Sequence, residues 1–180
     1  MQVLNGPVTA FSMPEDGAEA EQSFLEILNN EHETYLEMYG DTLKELYDAI
    51  KVADAQGVVL HGLVDHTQEC GPTEKAMMQD LVNTLVHSDT TVTTAGPDAE
   101  KSSEIAHRKR MMDVSGNVFF GSVNASHDGF FSQTNDAVTF NDPTYVAEAI
   151  KRFEIRKAWA LEHLPHAQIV KQEKTNETPV

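Results

Sequence analysis

A helix that runs straight into a wholly apolar strand restricts this chain most. Leu43, Leu46, Tyr47, Ile50 and Ala53 recur at i, i+3, i+4, i+7 and i+10, so they share one side of an α-helix. Asp41 and Thr42 are its N-cap candidates, and Gly57 fits the position just past its end. Val58-Val59-Leu60-His61-Gly62-Leu63-Val64 follows, a nearly continuous apolar run of the kind that forms a strand buried on both faces. With Thr34 to Tyr39 as a preceding strand, the succession strand, helix, buried strand demands crossovers over a shared sheet. The expected fold is α/β, a mixed and mostly parallel sheet flanked by helices on both faces.

The other elements fit that frame. Residues 18–29 show a helical face of Phe24, Leu25 and Leu28, and Thr73 can cap a helix bearing Met77, Met78, Leu81, Val82 and Leu85. Met77-Met78 and Phe119-Phe120 read as core. Thr90 to Thr94, Ile105 to Val114, Val118 to Gly121 and Ala137 to Phe140 read as strands, with 95–103 a loop and Ser115-Gly116-Asn117 a hairpin-like turn. Asp142-Pro143 opens a final helix with Val146, Ile150, Phe153 and Trp159 facing inward. A chain of 180 residues without an internal repeat suits one domain over 1–170, leaving 171–180 as a polar, disordered tail.

Charge is unevenly spread. The net value is −16, yet residues 1–100 hold 3 basic and 19 acidic side chains while residues 101–180 hold 10 of each. The dense basic cluster, Arg108-Lys109-Arg110, lies in the neutral part. No apolar run approaches the ~20 residues of a membrane span, and the helices carry acidic positions that an anionic bilayer repels, so no stable membrane association is expected. One cysteine, Cys70, rules out an internal disulfide framework, and the N-terminal stretch lacks a secretory pattern, which together point to the cytoplasm.

The chemistry concentrates in His107-Arg108-Lys109 and Gly121-Ser122-Val123-Asn124, with eleven residues between the two motifs. Residues two apart in a strand share a face, so His107 projects with Lys109 and Ser122 with Asn124. Two adjacent strands then aim an imidazole, an ammonium, a hydroxyl and an amide at one point. That point suits a phosphodiester: Lys109 offsets the negative oxygens, Ser122 and Asn124 donate hydrogen bonds, and His107 attacks or moves protons.

This pattern resembles the phospholipase D superfamily, whose signature is HxK, four residues, Asp, six residues, GSxN. The resemblance spans roughly residues 8 to 160, including LKELYDAIKVADAQGVVLHGLVD and GFFSQTNDAVTFNDPTYVAEAIKRFEIRKAW. It implies a phospholipase D-like half and a metal-independent phosphodiesterase without cofactor. His107, Lys109, Ser122 and Asn124 are then catalytic, and Arg108 and Asn135 contact substrate; Asp65, at the C-terminal end of a sheet strand, is placed to line the ligand crevice with them. One departure stands out: both spacings place Val114 at the family's Asp position, with Asp113 one residue earlier.

Family members pair two HxK motifs, one histidine attacking phosphorus and the other protonating the leaving oxygen. This chain has one, so the resemblance implies a homodimer that places His107 beside its symmetry mate. Single-motif chains of this length resemble nucleases more than lipases, making nucleic acid the favoured phosphodiester substrate. The competing readings are a weak or inactive nucleic-acid-binding or structural relative, and a phospholipase D-type lipid hydrolase. His61, Asp65, His66 and Cys70 include metal-ligand types, but their spacing matches no zinc pattern and no metal site is assigned.

Overall fold

The computed structural model describes residues 6–29, 32–40, 42–65, 72–85, 91–94, 107–163 and 168–171. Expectations for Asp41, His66, Cys70, Gly71 and residues 95–103 lie outside them. The chain runs β1 (Val8–Met13), α1 (Gly17–Glu26) with a 3-10 turn (Ile27–Asn29), β2 (Glu33–Met38), α2 (Lys44–Ala55), β3 (Val59–Val64), α3 (Pro72–Thr84) and β4 (Thr91–Thr94). It continues through β5 (Lys109–Asp113), β6 (Asn117–Gly121), α4 (His127–Phe131), β7 (Asn135–Asn141), α5 (Pro143–His163) and β8 (Gln168–Lys171). These strands form one sheet in the order β1-β7-β6-β5-β2-β3-β4-β8.

The α/β class and the mixed sheet agree with the sequence reading; the parallel majority does not. Only β2–β3 and β3–β4 are parallel, and every other neighbouring pair is antiparallel. Crossovers long enough for parallel pairing surround α2 and α3 alone. The tight turn between β5 and β6 can join only antiparallel strands, and β7, β1 and β8 add to the sheet antiparallel to their neighbours.

Strand alternation divides the core between two faces. Leu36, Met38, Leu60, Val64, Met111 and Phe119 meet Phe24, Leu46, Leu81 and Phe130 from α1 to α4. Tyr35, Leu63, Met112 and Val118 meet Val146, Ala149, Phe153 and Ala160 of α5 on the other face. Phe24 packs edge-on against Phe119 at 5.2 Å between ring centroids. Each such fully buried side chain contributes about 1.5–3 kcal/mol.

Several local expectations hold for the reason given. Gly57 has φ 93° and ends α2, while Asp142 Oδ1 accepts the Tyr145 N–H at 2.9 Å to cap α5. Others are corrected. Leu43, not Asp41 or Thr42, is the N-cap of α2, without a side-chain cap; its N–H instead donates to Ala125 O at 2.8 Å, tying α2 to the segment after β6. Trp159 is 52% exposed and stacks on His163, because Ala160 takes the inward position. Phe120 is exposed while Phe119 is buried, as alternation requires. Lys171 ends β8, opposite Thr91, and therefore does not begin a tail. β1, α4 and β8 had no counterpart in the sequence reading.

The topology brings particular strand ends together. The C-terminal ends of β2, β3, β6 and β1 and the N-terminal ends of β5 and β7 all lie at one edge of the sheet, through Met38↔Lys109, Met38↔Val64, Gly121↔Ala137 and Met13↔Asn135.

Candidate active site

Lys109 opens β5 at that edge. It is 4% exposed, its Nζ lies 5.0 Å from the centroid of the Tyr39 ring, and it donates to the His107 carbonyl at 3.4 Å. The His107 ring meets the same tyrosine edge-on at 4.7 Å and is exposed to solvent. Tyr39, immediately after β2, thus supports both groups. Sequence reasoning missed it, although its place at the end of a sheet strand marks the crevice where open α/β sheets bind ligands. Strand pairing does not extend to His107, so its position beside Lys109 comes from that shared ring and not from a strand face.

Asp65 follows β3 and is fully buried, its N–H donating to Met38 O at 3.2 Å. Its charge reaches both members of the motif. Desolvation, followed by the Lys109 charge, pushes the His107 imidazole below its ordinary pKa, and Asp65 opposes the shift. Desolvation also pushes the Lys109 ammonium down, again opposed by Asp65. Asp65→Asn removes the contribution that raises both values. The His107 imidazole is therefore expected to titrate at lower pH in that variant, as read by its NMR ring resonances; an unmoved midpoint would exclude the coupling.

Gly121 closes β6 because nothing larger fits: a Cβ there would lie 2.3 Å from Asp136 O. The close approach lets Ser122 N–H donate to Asp136 O at 2.9 Å. Ser122 Oγ donates to Asn135 Oδ1 at 3.0 Å and accepts the Asp136 N–H at 3.1 Å, and Asn135 Nδ2 donates to Gly129 O at 3.0 Å. Ser122 and Asn135 are thus one unit that locks β6 to β7. Asn124 sits apart from them, half-buried with its amide carbon 3.5 Å from the Cβ position of Gly40, next to Tyr39. Among the described residues its buried Oδ1 has no donor. Asn124 thereby lies against Gly40, the residue after Tyr39, while Ser122 faces Asn135.

The change at the family's Asp position has a structural explanation. Val114 is 41% exposed in the β5–β6 turn, five residues or ~17 Å of strand beyond the start of β5. Asp113 is fully buried there, accepting Ser115 N–H at 3.0 Å, Ser115 Oγ at 2.8 Å, Asn117 N–H at 3.0 Å and Asn117 Nδ2 at 2.8 Å. A carboxylate still braces the hairpin, displaced by one residue.

His61 is not part of this end: its Nε2 lies 2.9 Å from Glu33 Oε1, and its ring stacks on Tyr35. No three His, Cys, Asp or Glu side chains among the described residues could share a metal ion. Arg108 is exposed and leans toward the buried Glu37, 3.9 Å away.

A family model described as cardiolipin synthase, PLD-like domain, matches residues 24–157, well over half the chain. The chain belongs to the phospholipase D superfamily. The fold agrees with this membership. Nuc, a phospholipase D family member from Salmonella typhimurium, superposes with a TM-score of 0.74 at 16% identity, covering 93% of this chain and 100% of that one. NucT from Helicobacter pylori gives 0.73 at 16% identity with the same coverage. TrmBL2, an archaeal chromatin protein, gives 0.56 at 15% identity over 83% of this chain and 52% of its own. No curated protein sequence matches. Within the superfamily's motif, His107 and Lys109 meet at Tyr39, and Asn124 lies against the adjacent Gly40.

Proposed function

We propose that this chain is a metal-independent phosphodiesterase, a nuclease that works through a covalent phosphohistidine at a site shared across a homodimer. The observation that carries the reading is an accessible His107 imidazole, biased toward its neutral form, beside a buried Lys109. A neutral imidazole nitrogen has the lone pair needed to attack phosphorus. Superfamily membership and the likeness to Nuc and NucT support a phosphodiesterase.

In this mechanism His107 forms an N–P bond as the P–O bond to the leaving group breaks. His107 of the partner subunit gives its proton to the departing oxygen. That imidazole then takes a proton from water, whose oxygen attacks phosphorus and releases His107. Lys109 and Asn124 stabilise the non-bridging oxygens as charge develops. Ser122 and Asn135 hold the β6–β7 end that carries Asn124.

The test offers single-stranded DNA, duplex DNA, RNA, a bis-aryl phosphodiester and phosphatidylcholine vesicles, each with and without EDTA. Cleavage of polynucleotide and diester that persists in EDTA is expected; restoration by one divalent ion after loss would overturn metal independence. Hydrolysis of the vesicles alone would select the lipid reading. Among the described residues no helix is long and apolar enough to cross a membrane.

One HxK motif supplies one histidine, so the active species is expected to be a dimer. Light scattering at assay concentration should give twice the chain mass of 19.9 kDa. A fully active monomer would end the shared-site mechanism. A second reading, binding without catalysis, draws on the fold shared with TrmBL2, described with a novel mode of DNA binding. It predicts polynucleotide binding with no turnover of any diester.

A further inference from the structure

The chain contains four arginines, Arg108, Arg110, Arg152 and Arg156, and all four line one cleft of about 360 Å³ between β5 and α5. Such segregation in a chain of net charge −16 invites an explanation. The arginines of the pairs 108/110 and 152/156 lie more than forty positions apart in sequence and meet because α5 covers that face of the sheet.

An ion-pair network accounts for only part of the cleft. Glu37, 2% exposed, accepts from Arg110 and from Arg156, the latter through Nε at 2.8 Å, and Arg110 NH1 donates to Tyr145 OH at 3.1 Å. One carboxylate therefore orients two guanidiniums. Arg108, 3.9 Å from Glu37 and 56% exposed, and Arg152, paired on its own helix with Glu148, are not needed to neutralise it. Among the described residues four cations face two carboxylates, Glu37 and Glu148, leaving two positive charges in excess. Arg110 is 92% buried in its side chain, yet its Nε has no acceptor among the described residues. A buried donor without a partner is costly, and an anion in the cleft would satisfy it. Burial lowers the Arg156 pKa, Glu37 opposes that shift, and the charges of Arg108 and Arg110 add a smaller lowering.

We propose that this cleft is a second phosphate site, taking a backbone phosphate that flanks the one attacked at His107, so that it sets the affinity for polynucleotides. The inference rests on the phosphodiesterase reading for its substrate class. Guanidinium forks match phosphate oxygens in pairs, which suits arginine over the nine lysines of this chain. Arg110 is three residues from His107, ~10 Å of extended chain. A nucleic-acid strand carries a phosphate every ~3.4 Å of helix axis, so a strand seated at His107 presents its neighbours to the cleft. A small diester has no such neighbour.

The test uses the full chain carrying His107→Ala, so that a labelled single-stranded oligonucleotide is bound without being cut. Fluorescence anisotropy is read across a salt series. Arg108→Gln with Arg152→Gln, both at exposed positions, should weaken binding about tenfold and flatten the salt dependence by about 0.7 for each phosphate no longer neutralised. Glu148→Gln should tighten binding, a gain that a purely structural role would not produce. Unchanged affinity and slope in the double variant, or capture of phosphatidylglycerol vesicles without oligonucleotide, overturns the site. Turnover of the bis-aryl diester is measured separately on the chain with His107 intact. Arginine-dependent binding without turnover keeps the cleft and removes the phosphodiesterase; turnover without arginine-dependent binding does the reverse.

Discussion

His107→Ala is expected to lower phosphodiester turnover by about 10,000-fold or more, with the folded state unchanged. In a shared site the substitution removes nucleophile and general acid together, and groups that act as a unit fail together. The general acid or base alone is typically worth ~100- to 10,000-fold. Stability should hold because His107 is exposed and lies outside the β5 ladder. Thermal denaturation within ~2 °C of the unsubstituted chain, together with loss of bis-aryl diester cleavage, is the expected pair of results. Lys109→Ala should lose less turnover and more stability, since that residue is 4% exposed against the Tyr39 ring. Mixing the two variants should not restore full activity, because both residues serve the same composite site. Retained turnover in His107→Ala would remove the central claim.

How far the chain could be read from sequence differs between its elements. The 3.6-residue rhythm from Leu43 to Ala53 and the apolar run from Val58 to Val64 state α2 and β3 directly, because a crossover helix and a strand covered on both faces leave unambiguous patterns. Strand direction is not local information. The Ser115-Gly116-Asn117 turn announced one antiparallel pair, but the placement of β7 beside β6 and of β1 at the far edge depends on cores assembled from distant segments. β1 buries only Phe11 and Met13 and is flanked by prolines, so its alternation was too short to stand out.

The site divides in the same way. His107, Lys109 and Asn124 were legible through motif spacing, whereas Tyr39 and Glu37, in the stretch TYLEMYG, carry no motif of their own. Their meaning comes from the register that sets Met38 against Lys109 and Glu37 against Arg110. Sequence spacing predicted the end of the sheet where chemistry gathers, and the long-range pairing decided which charges it gathers. Asp113 shows the converse: it stands one residue before the family position, and its four hydrogen bonds, which brace the β5–β6 turn, were not legible in the sequence.

Glu37→Gln is expected to be strongly destabilising, because it leaves the buried Arg110 and the partly buried Arg156 without their shared counter-charge. Glu37 faces Arg110 across β2 and β5, and Arg156 reaches it from α5, so one carboxylate joins the sheet to its helix on that face. Breaking a buried pair by removing one partner typically costs about 3–5 kcal/mol, since the remaining charge stays desolvated. At ~2–4 °C per kcal/mol for a chain of this size, the melting temperature should fall by roughly 6–20 °C. A drop of under ~2 °C would mean that Arg110 and Arg156 need no counter-charge there. The same variant probes what the cleft accepts. With the carboxylate neutralised, four cations face Glu148 alone among the described residues, so millimolar inorganic phosphate should raise the melting temperature of Glu37→Gln more than that of the unsubstituted chain, by the ordinary linkage between binding and folding. An equal rise in both would leave the pair's stabilising role intact and show that phosphate does not enter among the arginines.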